Sequence, residues 1–365
     1  MKKISVVLIA LTIILIFSIP CFSLDSDEEY KSIYGTLGSS AEKLLNEAGI
    51  SGICFDEIFN ISAEKVFKAV FDVFKGKLPV PFKSLGKALI IIILLSLVGG
   101  FTQKYKNSSD FFGFVFTCFA LMTVLVPFSE CFACSVSVLK TLSDFMFAFI
   151  PVFTALVSSG GQPLTSYAYS GGMLMFAEFI SGGLYYCGVP VISVITVLNV
   201  FGSSDGKISF NGLTSLLKRI LTLFLSLSGM LFTGFVNIKT NLALNADSLA
   251  LKGIKLVSGS IIPVIGSSVG DAVNSVLGSV SLVKNTLGVF AIFASVVIVL
   301  PETAELLIWY FCLSLISALG EMLGLSHIKN SFKALADCAV LLNVTLLFCV
   351  LVFILTTGNL IAVRG

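Results

Sequence analysis

The chain has one histidine, one tryptophan and few charges, and each shortage excludes something. The lone imidazole, His327, sits in Leu325-Ser326-His327-Ile328-Lys329, just past an apolar stretch, where it reads as a surface loop residue. With no second histidine, a catalytic triad or a histidine-rich metal centre is not expected. Charged residues make up 12% of the chain, against roughly a quarter in soluble domains. The formal net charge of +2 gives no polyelectrolyte character and no case for nucleic acid. Phosphate-loop, nucleophile-elbow, H-E-x-x-H and EF-hand spacings are all missing from the sequence. The expectation is a protein that is not an enzyme and carries no cofactor. Nine cysteines do not make a disulfide framework. Cys118, Cys187, Cys312, Cys338 and Cys349 lie in or beside apolar runs, where a thiol acts as a small hydrophobe. Cys131 and Cys134 form a C-x-x-C on what reads as an apolar loop edge, without a second pair, so no metal site is expected.

What is present is hydrophobicity: 56% of residues are apolar, and the mean hydropathy is +1.02. Met1-Lys2-Lys3, an apolar run from Ile4 to Pro20 and Cys21-Phe22-Ser23 have the three parts of a secretory signal, over residues 1–23. The alternative is an uncleaved first anchor. Residues 24–83 follow as an acid-rich extracytoplasmic segment, too short to promise its own core. Val66, Phe67, Val70, Phe71 and Phe74 recur there at helical spacing, with Ser62 as cap. Flanked by Lys65, Lys68, Lys75 and Lys77, this amphipathic helix lies on a membrane surface or packs on a partner or on the protein's own loops.

Residues 84–365 read as an all-α, polytopic integral membrane helix bundle. A hydrocarbon core of about 30 Å needs roughly 20 apolar residues per helix. Candidate spans run over residues 85–101, 111–128, 145–157, 220–236, 287–300, 304–323 and 339–355, with residues 171–201 read as two short helices meeting near Pro190. That division keeps Lys207, Lys218 and Arg219 on the side of Lys104 and Lys106, as the bias of basic residues toward cytoplasmic loops requires. The expected total is seven to nine spans. Residues 239–285 are too polar for an ordinary span and too apolar for an ordinary loop, and they read as an amphipathic helix followed by a glycine- and proline-broken, re-entrant segment.

Ionisable residues at membrane depth are costly and generally face the bundle interior. Glu178, Asp271, Lys284 and Asp337 are therefore the candidates for lining a path or for polar bonds between helices. Glu302, Glu305 and Glu321 read as residues in headgroup water. Two broken elements, one with Gly160, Gly161 and Pro163 and one with Gly259, Pro263, Gly266 and Gly270, are candidates for helix packing or for a transport site.

The second of these elements carries a resemblance. Asp247-Ser248, Lys252, Lys255, Ile262-Pro263-Val264-Ile265-Gly266, Asp271-Ala272 and Leu282-Val283-Lys284-Asn285, with Gly160-Gly161-Gln162-Pro163 before them, resemble the stage III sporulation protein AE family. The resemblance covers most of the chain from about residue 143. It implies a multi-pass protein of the mother-cell membrane facing the forespore, part of a transenvelope, secretion-like channel complex needed for endospore development. It also implies the lipid bilayer, other membrane subunits of that complex and a cytoplasmic ATPase as partners. The alternative reading is a stand-alone secondary transporter for a small solute, built on the two broken segments.

Overall fold

The computed structural model describes residues 37, 41, 42, 45, 63–102, 106–159, 172–204, 210, 212–234 and 266–362. The expected signal over 1–23 and Gly160, Gly161, Pro163, Gly259 and Pro263 lie outside these residues. Among the described residues the structure is helical and has no strand.

Helix α1, Ala63–Lys77, begins directly after Ser62 and is the amphipathic helix expected from the sequence. It stops because Pro79 disfavours helical backbone at Leu78, and Pro79 then occupies the first turn of α2, Pro79–Thr102, where a missing N–H costs nothing. The long helix α3 is Lys106–Ser159. Next come α4, Gly172–Gly183, a π-turn at Leu184–Gly188, and α5, Val189–Ser204. Helix α6 covers Gly212–Gly234, α7 is Gly266–Met322 and α8 is Ser326–Ala362.

Six helices of the described part are long and apolar enough to cross a membrane, and the protein is a multi-pass membrane protein. The sequence reading divided the chain more finely, and its division fails in three places. The stretches 111–128 and 145–157 belong to one helix, α3, which passes through Pro127 without ending. Likewise 287–300 and 304–323 are one helix, α7, continuous across Pro301. A proline removes one hydrogen bond from a helix interior. In apolar surroundings, however, ending the helix would strand several backbone groups, so continuity is the smaller cost. In the third place, residues 172–204 form one helical run, because the π-turn accommodates Pro190. Pro190 cannot donate to the Tyr186 carbonyl, and the ladder shifts by one residue, with the Val189 N–H donating to the Leu184 carbonyl. The same reasoning applies to the described part of the expected re-entrant segment. From Gly266 onward the glycine- and serine-rich run, Gly270 and Asp271 included, is regular helix and forms the start of α7.

The core is an antiparallel pair, α7 and α8, each two-thirds buried along its apolar window. Small buried residues, among them Ala291, Ala294, Ser295, Ala334 and Ala339, keep their faces narrow, the composition that lets membrane helices pack closely. Their connection is a Schellman turn. The Leu325 N–H donates to the Gly320 carbonyl at 2.8 Å and the Gly324 N–H to the Glu321 carbonyl at 3.1 Å, with Gly324 left-handed at φ 71°. Glu321 and Lys329 close it with an ion pair. A side chain at Gly320 would lie 3.0 Å from both Ile328 Cγ2 and the Lys329 backbone nitrogen. Gly320→Ala is expected to destabilise the detergent-solubilised protein by about 1–3 kcal/mol, whereas Gly358→Ala, with nothing within 4 Å, should not. Equal thermal unfolding of the two variants would contradict this tight turn.

The other helices assemble on that pair in a register fixed by named contacts. Phe128 meets Trp309 and Ser135 meets Glu302, so α3 runs antiparallel to α7. Helix α2 folds back on α3, and α1 packs on α7 and α2. Lys218 pairs with Asp337 and Gly229 lies against Phe348, so α6 runs parallel to α8. Gly183 against Phe224 and Gly188 against Leu221 set α4 and α5 antiparallel to α6. Only 22% of the α6 window is buried, which leaves Leu213, Leu216, Ile220, Leu223 and Met230 facing outward. At about 1.5 Å per residue the 54 residues of α3 and 57 of α7 extend roughly 80–85 Å.

Candidate functional site

The densest buried polar cluster among the described residues forms where α1, α3 and α7 meet. Pro301, Glu302 and Glu305 lie in mid-helix on α7, and spacing of three places both carboxylates on one face. Cys131 and Ser135, four apart on α3, present a thiol and a hydroxyl to that face. Lys77, the last residue of α1, closes the cluster.

Lys77 Nζ lies 2.5 Å from Glu305 Oε2 and 3.7 Å from Glu302 Oε2. The single Ser135 hydroxyl proton is shared between the Cys131 carbonyl at 2.8 Å and Glu302 Oε1 at 3.1 Å, and the Cys131 thiol points at the same Glu302 oxygen at 3.7 Å. Burial is uneven. Glu302 is 3% exposed and Cys131 2%, while the Lys77 side chain keeps 34% of its surface. The cluster is thus sealed on the bundle side and reached from the lysine side. Two adjacent carboxylates removed from water need a cation between them, and the ammonium supplies one. One turn further along α7, Trp309 packs edge-on against Phe128 with ring centres 5.5 Å apart.

This cluster corrects two expectations and adds an arrangement the sequence did not suggest. Glu302 and Glu305 are buried or half-buried against other helices, not in headgroup water. Cys131 and Cys134 lie within α3, not on a loop edge. Facing Glu302 and Glu305, the Cys131 thiol completes a set of three ligand-type atoms within 4.8 Å of one another, although the sequence gave no reason to expect a metal-ligating set. The one signal in the sequence was spacing: a carboxylate pair three apart after a proline, and a Cys and a Ser four apart.

The residues singled out from the sequence are distributed along the bundle, not gathered. Glu178, on α4, accepts a hydrogen bond from Ser143 of α3 at 2.6 Å, and its second oxygen is buried without a partner. Asp337 is paired with Lys218 at 2.6 Å, so it ties α8 to α6. Lys284 is buried on α7, one turn before Gly288, which faces Thr357 and Ile361 near the far end of α8. Asp271, Gly266 and Gly270 belong to the first turns of α7. His327 lies in the first turn of α8, not in a loop.

Residues 51–363 match the family described as Stage III sporulation protein AE. A relative, Stage III sporulation protein AE of Bacillus subtilis (strain 168), is 23% identical over 311 residues, covering 82% of this chain and 77% of the relative. No solved structure matches.

Proposed function

The chain belongs to the stage III sporulation protein AE family, and from that premise we propose that it is a membrane subunit of a transenvelope channel complex joining mother cell and forespore. The observation that carries this reading is the family match across residues 51–363. On this reading the protein sits in the mother-cell membrane facing the forespore. It works by assembly with other membrane subunits and a cytoplasmic ATPase, and it performs no catalysis of its own. The thinly covered outer faces of α2 and α6, with Ile90, Ile93, Leu97, Leu213, Leu223 and Met230 exposed, give such subunits and the surrounding lipid a place to pack. On this reading the α7–α8 turn, with Lys329 and Lys333 beside it, is the cytoplasmic end. Lys77 and α1 then stand toward the opposite, extracytoplasmic side, in keeping with an exported N-terminal segment.

Affinity purification of the tagged protein from sporulating cells in mild detergent tests the assembly. Other sporulation membrane subunits and an ATPase are expected to come with it. Recovery as a lone oligomer would overturn the assembly reading and favour a stand-alone transporter, which solute flux in liposomes would then examine.

A further inference from the structure

We propose that Cys131, Glu302 and Glu305 form a binding site for a zinc-class divalent ion, with Lys77 as its displaceable occupant. The inference does not depend on the sporulation reading, because it rests on the geometry of the cluster alone.

Three features carry it. The first is the donor set. One thiol sulfur and two carboxylate oxygens, from two helices, all lie within 4.8 Å of one another. A tetrahedral zinc ion with bonds of about 2.0–2.3 Å holds its ligands roughly 3.3–3.8 Å apart, and Cys131 Sγ already lies 3.7 Å from Glu302 Oε1. The second is preorganisation. Ser135, whose hydroxyl is shared with the Cys131 carbonyl, lies 3.1 Å from that same Glu302 oxygen, the kind of outer contact that orients a metal ligand. The third is that the cluster already demands a cation and is served by one at its exposed edge. Lys77 is one-third exposed and ends α1 just before the break at Leu78, so its side chain can swing to solvent without loss of helix.

The exchange conserves charge. With lysine bound, two carboxylates, one ammonium and a neutral thiol sum to −1. With a divalent ion bound, two carboxylates and a thiolate again sum to −1, the thiol proton passing to water and the lysine to the surface. The thiolate selects zinc-like ions over magnesium or calcium, and the fourth position remains for water.

The probe is cobalt(II) alone, titrated into the full-length protein in detergent after chelator treatment. A near-ultraviolet thiolate-to-cobalt charge-transfer band should appear, saturating at about one ion per chain. Lys77→Met, which removes the competing ammonium and leaves every ligand, should tighten binding at least tenfold. Cys131→Ser should abolish the band, and Cys134→Ser should retain it. Absence of the band in both wild type and Lys77→Met, or its survival in Cys131→Ser, overturns the proposal. If Cys131→Ser does not fold, Glu305→Gln replaces it. At least tenfold weaker binding is then expected, and unchanged binding overturns the site.

Discussion

Lys77→Ala lowers the stability of the detergent-solubilised protein by about 2 kcal/mol, and adding Glu302→Gln and Glu305→Gln restores most of that loss. The first change removes the ammonium paired with a carboxylate whose side chain is 4% exposed. Breaking a buried pair from one side generally costs 3–5 kcal/mol, and the lysine's exposure brings the figure down. The restoration follows because the penalty lies in the charge left behind, not in the bond lost. Thermal unfolding of the single and combined variants measures both parts. Additive losses across the set would mean that these groups do not share one desolvated cluster.

Trp309→Ala has the larger effect, about 3–5 kcal/mol, because this is the bulkiest fully buried side chain and it holds α7 to α3 through Phe128. Trp309→Phe should cost clearly less. The indole nitrogen is buried without a hydrogen-bond partner, so the smaller ring gives up volume but relieves an unmet donor worth on the order of 1 kcal/mol. Denaturant or thermal titrations of the two variants decide the matter, and equal losses would place the weight on the N–H, not on packing.

The helical, membrane-spanning character of the chain was legible because apolar runs of span length need no tertiary information. Helix α1 was legible for a similar reason: its apolar residues recur at helical spacing within one short stretch. The joins were not. Polar residues between 129 and 144 and the Pro301-Glu302 step read as loops because hydropathy falls there, yet a falling hydropathy cannot distinguish a loop from a helix whose polar face is met by another helix. Glu302 is such a case, since Lys77 and Ser135 meet it from elsewhere in the chain. Its partner Cys131 is 171 residues away, and Lys77 lies 228 residues from Glu305, separations no local pattern encodes. Glu178 stood out in the sequence as a carboxylate within an apolar run, but its partner Ser143 required the structure.

The length of α7 has a mechanical consequence. A hydrocarbon layer of about 30 Å holds only some 20 of its 57 residues. Helix α8 covers α7 only from about Gly288 to Gly320, so the first twenty or so residues of α7 run on beyond the end of the pair. Any bend in α7 is concentrated where Pro301 leaves a carbonyl without its donor, beside the Lys77 clasp.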